Sequence, residues 1–124
     1  MFYNKNKMRG KRRKIDRIFW EISKERGRYA EEKTEDALSQ MLENGEIVSF
    51  YKTNKKDDKF RGIDFFVISQ EGEKIPIQIK SSSRGAKTHL KEFPNIPVIV
   101  IELHEDLESI KNKIRNLISK EKNF

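Results

Sequence analysis

The chain has 124 residues, 35% hydrophobic and 38% charged, with a formal net charge of +7. That length gives room for one domain and one modest core. With no cysteine, disulfides and thiolate zinc sites are excluded, so a bound metal has to be a hard cation held mainly by oxygen. The start of the chain lacks the apolar core of a secretory signal, and no apolar run reaches the roughly 20 residues that span a bilayer. The expected location is cytoplasmic, with no membrane partner.

The charge is unevenly placed. Residues 1–28 carry eleven Lys or Arg against three acids, whereas the remainder is nearly balanced at sixteen against seventeen. A basic segment joined to a near-neutral domain suits a polyanionic partner, because each cation beside a phosphate releases condensed counterions.

In chain order, residues 1–10 show no periodicity and read as a mobile basic arm, and residues 11–124 read as a single domain. Ile15, Ile18, Phe19 and Ile22 recur at helical spacing, opposite Arg12, Arg13, Lys14, Arg17 and Lys24. This predicts a basic amphipathic helix over 11–26. Gly27 is expected to interrupt or bend it. A second helical segment follows over 29–43, with Ala30, Ala37, Leu38, Met41 and Leu42 for its buried side and Asn44-Gly45 as its stop.

The period then changes to that of strands. Ile47 to Tyr51 suits one strand. Residues 62–69 and 74–82 suit a β-hairpin turning near Glu71 to Glu73, with Pro76 requiring an edge position or a bulge. The stretch 81–95 reads as an irregular or partly helical connection. The run 97–103 reads as a fully buried strand, and 105–121 as a final amphipathic helix. Helices and strands in this order predict an α/β domain with a central mixed four-stranded sheet flanked by helices.

Strand alternation singles out three residues. Asp64 shares a face with Phe66 and Ile68, and Gln78 and Lys80 share a face with Pro76. Folding the hairpin sets Asp64 opposite Gln78 or Lys80, so an acid, an amide and an amine converge. An Asp64–Lys80 ion pair that only satisfies itself is one explanation. The other is chemical: carboxylate, amide and main-chain oxygens are ligands for Mg2+ or Mn2+, and a lysine beside them supplies the cation that phosphodiester hydrolysis needs. His89 and His104 read as surface residues. Trp20 with Phe19 reads as core or interface before a base-stacking platform.

These residues resemble the motifs of the PD-(D/E)xK nuclease superfamily, here as Gly62-Ile63-Asp64 and Gln78-Ile79-Lys80. Upstream, Gly27, Glu31 and Leu38 are spaced as in archaeal Holliday-junction resolvases and related restriction-type enzymes. The resemblance spans the core 27–103. It implies a restriction-endonuclease-like fold and a metal-dependent DNA endonuclease, with structure-specific cutting in the manner of a junction resolvase as one form of that activity. In the roles it implies, Asp64, Gln78 and the Ile79 carbonyl hold the metal, Glu31 reaches it directly or through water, and Lys80 activates or orients the attacking water. Glu32 and Glu35 compete with Glu31 for the helical position. Lys11, Arg12, Arg13, Lys14, Arg17, Ser81, Ser82, Arg84 and Lys87 are the candidate DNA contacts, and a homodimer is implied. Gln78 stands where most members have Glu or Asp, so a catalytically degenerate nucleic-acid-binding module is the alternative.

Overall fold

One uninterrupted helix, α1 (Lys5–Glu43), occupies the first third of the chain. The computed structural model describes the backbone at residues 5–54, 57 and 60–122, and side chains at 17–54, 57 and 60–121. Two expectations are corrected here: residues 5–10 are helical, and Gly27 does not break the helix, while residues 1–4 of the expected arm lie outside the described residues. A mid-helix glycine costs only about 1 kcal/mol relative to alanine, and no proline precedes Pro76 to break the turn pattern. The helix does stop where Asn44-Gly45 predicts. Gly45 adopts φ 74°, the Gly45 N–H donates to Leu42 O at 3.1 Å, and the Glu46 N–H donates to Met41 O at 2.9 Å. Those two bonds satisfy carbonyls that the helix end would otherwise leave open.

β1 (Ile47–Lys52), β2 (Phe65–Ser69), β3 (Lys74–Lys80) and β4 (Val98–Val100) form one sheet in that order. The first two pairings are antiparallel, and β3 with β4 is parallel, which makes the sheet mixed and open. The β2–β3 hairpin closes through Gln70-Glu71-Gly72, with Gly72 at φ 83° and the Ser69 N–H donating to Glu73 O at 2.9 Å. Pro76 sits where β3 has a neighbour only in β2, because pairing with β4 begins at Gln78. Its missing amide therefore breaks no ladder bond.

Helix α2 (Ser83–Glu92) carries the crossover from β3 to β4, and α3 (Leu107–Lys122) follows β4. Ala37, Leu38 and Met41 of α1, Ile110 and Ile114 of α3, and Phe65, Val67, Ile75, Ile77 and Ile79 of the sheet form one buried cluster. Thus α1 and α3 cover one face, while α2 lies over the end of the other, against β3 and β4. Leu42, expected inside, is exposed. The run 97–103 is also corrected: its strand is three residues long, at the sheet edge, with only Ile99 and Ile101 buried. A continuous apolar run does not distinguish two covered faces from one. No helix among the described residues is long and apolar enough to cross a membrane.

Candidate active site

Asp64 lies in a bend immediately before β2. Its N–H donates to Ile77 O at 2.8 Å and its carbonyl accepts from Thr53 N at 3.0 Å, so the main chain is held from both neighbouring strands. Thr53 Oγ1 adds a bond to Ile63 O at 2.6 Å. The β2–β3 register ends at Phe65 with Ile77, and because the Asp64 N–H also bonds to Ile77 O the regular pairing does not continue to Gln78; Asp64 and Gln78 meet through their side chains instead. The Asp64 side chain is buried, and its Oδ2 accepts the Ile79 N–H at 2.8 Å.

The Gln78 amide completes the contact, lying 3.3 Å from Asp64 Oδ2 and 3.0 Å from Gly62 O. Two acceptors at such distances call for a donor or a cation between them and the amide. With its nitrogen inward, Gln78 makes two hydrogen bonds. With its oxygen inward, three oxygens of hard character line one edge, a donor set that suits Mg2+ or Mn2+. Because N–H and C=O of one strand residue face the same side, the Ile79 carbonyl is turned toward this edge as well. The residues present therefore fit such an ion. Its charge would be matched by few carboxylates, since among the described residues no group of three or more His, Asp or Glu side chains is arranged to hold a metal.

Lys80 shares the Gln78 face, with its stem against Gly85 in the first turn of α2. Among the described residues no ion pair joins it to Asp64, so the self-satisfied pair is not what these two side chains form. Gln78 and Lys80 open into a cleft of ≈ 470 Å³ whose far wall is Ser82, Arg84, Thr88 and Phe93. Ser82 caps α2, its Oγ accepting from Gly85 N at 3.1 Å. Arg84 is exposed at the cleft rim, Lys87 is exposed outside it, and Ser81 lines a separate groove with Arg26 and Tyr29.

Glu31 is half-buried and pairs with Lys52 at 3.4 Å, and Lys52 stands opposite Phe65, the residue after Asp64. Helix α1 thus presents Glu31 to the sheet end that carries Asp64, while Glu32 and Glu35 are exposed. Arg17 is exposed on α1, and the side chains of Lys11, Arg12, Arg13 and Lys14 lie outside the described residues.

His89 is corrected: it is buried under α2, with Nε2 3.2 Å from Ile96 O and its ring 5.3 Å from that of Phe93. Three residues that shape the site had no individual role in the sequence reading. Lys52 and Thr53 act through tertiary contacts and carry no local signal. Gly62 had one, a glycine directly before the acid-bearing strand: at φ 79°, a Cβ there would lie 2.7 Å from the Phe93 ring. No protein-family model, curated protein or solved structure matches the chain.

Proposed function

We propose that the chain is a Mg2+- or Mn2+-dependent DNA endonuclease with a restriction-endonuclease-like core, its centre formed by Asp64, Gln78, the Ile79 carbonyl and Lys80. One observation carries this reading: the Asp64 carboxylate, the Gly62 carbonyl and the Gln78 amide converge within 3.0 to 3.3 Å at a sheet end, beside a lysine that makes no ion pair among the described residues. The order of elements and the placing of the Asp64, Gln78 and Lys80 motifs on adjacent strands resemble those of the nuclease family and support the reading.

When bound, the ion would neutralise phosphate charge and make a water acidic enough to attack. Asp64 and Gln78 hold and orient the oxygens at that edge. Lys80 places a cation where negative charge accumulates on the phosphate, and a preorganised donor there is worth about 10²- to 10³-fold in rate. Arg84 and Thr88 across the cleft supply contacts to the sugar-phosphate chain. The projecting basic half of α1, which leaves the domain beside Ser81, supplies further phosphate contacts.

Incubating the purified protein with branched, duplex and single-stranded DNA in Mg2+ or Mn2+ tests the proposal. Cleavage is expected and should fall at least about 10²-fold in Lys80→Ala; unchanged cleavage in Lys80→Ala would remove the site assignment. The second reading, a nucleic-acid-binding module without catalysis, draws on the same amide: nitrogen inward, Gln78 satisfies Asp64 with no ion. DNA retardation without cleavage in either metal would select it.

A further inference from the structure

The sheet face that carries Gln78 and Lys80 is covered unevenly. Helix α2 lies over its β3–β4 end, whereas at the β1–β2 end the Tyr51 ring is 39% exposed. Tyr51, Phe66 and Pro76 stand opposite one another across β1, β2 and β3. Alternation along β3 puts Lys74, Pro76, Gln78 and Lys80 on that same side. The metal-binding edge and the exposed ring therefore belong to one continuous surface.

The rings on this surface form a cluster. Tyr51 rests against Phe66 with centroids 5.3 Å apart and planes at 32°, and Phe60 meets Phe66 edge-on at 5.8 Å and 74°. The Lys74 Nζ stands 4.3 Å from the centre of the Phe66 ring and 5.2 Å from that of Tyr51. Rings hold an ammonium in place without neutralising it. Among the described residues neither Lys74 nor Lys80 joins an ion pair. Two unneutralised cations thus lie about 20 Å apart along β3, with an aromatic surface beside the first.

We infer that this face is a platform for single-stranded DNA. An unpaired base stacks on Tyr51, Lys74 takes a phosphate beside it, and the strand continues past Pro76 to Lys80. Base faces suit exposed rings and phosphates suit unpaired lysines, so the two features together select a polynucleotide. In a duplex the base faces are covered by their neighbours and have nothing to offer Tyr51. An acidic peptide would answer the lysines but leave the ring without a partner. The inference names the substrate class of the site and rests on the DNA reading of it, not on cleavage.

Fluorescence anisotropy with the full chain, in EDTA so that no strand is cut, tests it. The probes are a labelled single strand of about 12 nucleotides, within the range that single-strand-binding domains occupy, and a duplex of the same length. Tyr51→Leu, which keeps an apolar side chain on Phe66, is expected to weaken single-strand binding about tenfold at unchanged circular dichroism. Tyr51→Phe should restore it, and duplex binding should be the same in all three proteins. Lys74→Gln should lower the slope of log affinity against log salt by about 0.7 on the single strand. Unchanged single-strand binding in Tyr51→Leu, an equal loss on the duplex, or binding of a polyglutamate peptide in place of DNA overturns the inference. If wild-type protein cuts DNA in metal while Tyr51→Leu binds single strands normally, this inference alone fails. Tyr51-dependent binding without cleavage by wild type would instead remove the endonuclease reading and support the platform.

Discussion

The carboxylate of Asp64 accepts the main-chain amide of Ile79 at 2.8 Å, so a side chain occupies a ladder position just where β2 begins. The acid therefore holds the end of the hairpin together as well as presenting an oxygen to the site. Asp64→Asn keeps an acceptor there, whereas Asp64→Ala leaves the buried Ile79 N–H without one. Equilibrium denaturation should show Asp64→Ala losing about 1–3 kcal/mol more than Asp64→Asn, while both abolish cleavage. Equal stabilities would show that the bond carries no weight.

Gln78→Glu adds a negative charge at the same edge. Without metal, two carboxylates then face each other and the melting temperature should fall. With Mg2+ or Mn2+, affinity measured by calorimetry should rise about tenfold, equivalent to about 1.4 kcal/mol, and the metal-dependent gain in melting temperature should exceed that of the wild type. A variant with unaltered metal affinity would place the ion elsewhere.

Gly62→Ala combines two faults: a left-handed backbone angle of 79° and a Cβ directed at the Phe93 ring. A loss of about 2–4 kcal/mol is expected on denaturation, toward the upper end for a single substitution. Phe93→Ala in the same background should recover part of it, because the clash goes while the strained angle stays.

The acid limb of stability should depend on two glutamates far from the site. Hydrogen bonds from Arg115, which grips both Glu46 oxygens at 2.7 and 3.1 Å, with the charges of Arg115 and Lys111, hold the Glu46 pKa below its ordinary value against partial burial. Burial raises that of Glu105, but hydrogen bonds from Lys113, the Glu102 amide and Ser109, with the charge of Lys113, outweigh it and leave it lowered. An acid with a depressed folded-state pKa stabilises the fold above the ordinary value of 4.5 and loses that contribution as pH falls through the lower folded-state value. Glu46→Gln/Glu105→Gln should therefore be less stable than wild type at neutral pH, with the gap closing below 4.5. A gap independent of pH would contradict the assignment.

The convergence of Asp64 with Gln78, and the shared face of Lys80, were legible in sequence because a hairpin is local: alternation and one turn determine which side chains meet. The stop at Asn44-Gly45 was legible for similar reasons, whereas the stretch 81–95, expected to be irregular or partly helical, holds the ten-residue helix α2. What failed depended on competition. Gly27 breaks a helix only if something else gains from the break, and nothing lies within 4 Å of its added Cβ to show such a contact. The 97–103 run and His89 were misread because burial depends on which elements arrive from elsewhere. The Glu31–Lys52 pair and the Thr53 bonds join segments whose proximity no local pattern records.

The continuity of α1 through Gly27 ties its exposed turns to its buried ones: the helix that carries Ala37, Leu38 and Met41 into the core also carries Ile18, Phe19, Trp20 and Ile22 into solvent. The reach of that apolar stretch from the core is therefore counted in helical residues, and inserting one heptad between Ile22 and Gly27 would carry it outward by about 10.5 Å while leaving the buried turns in place.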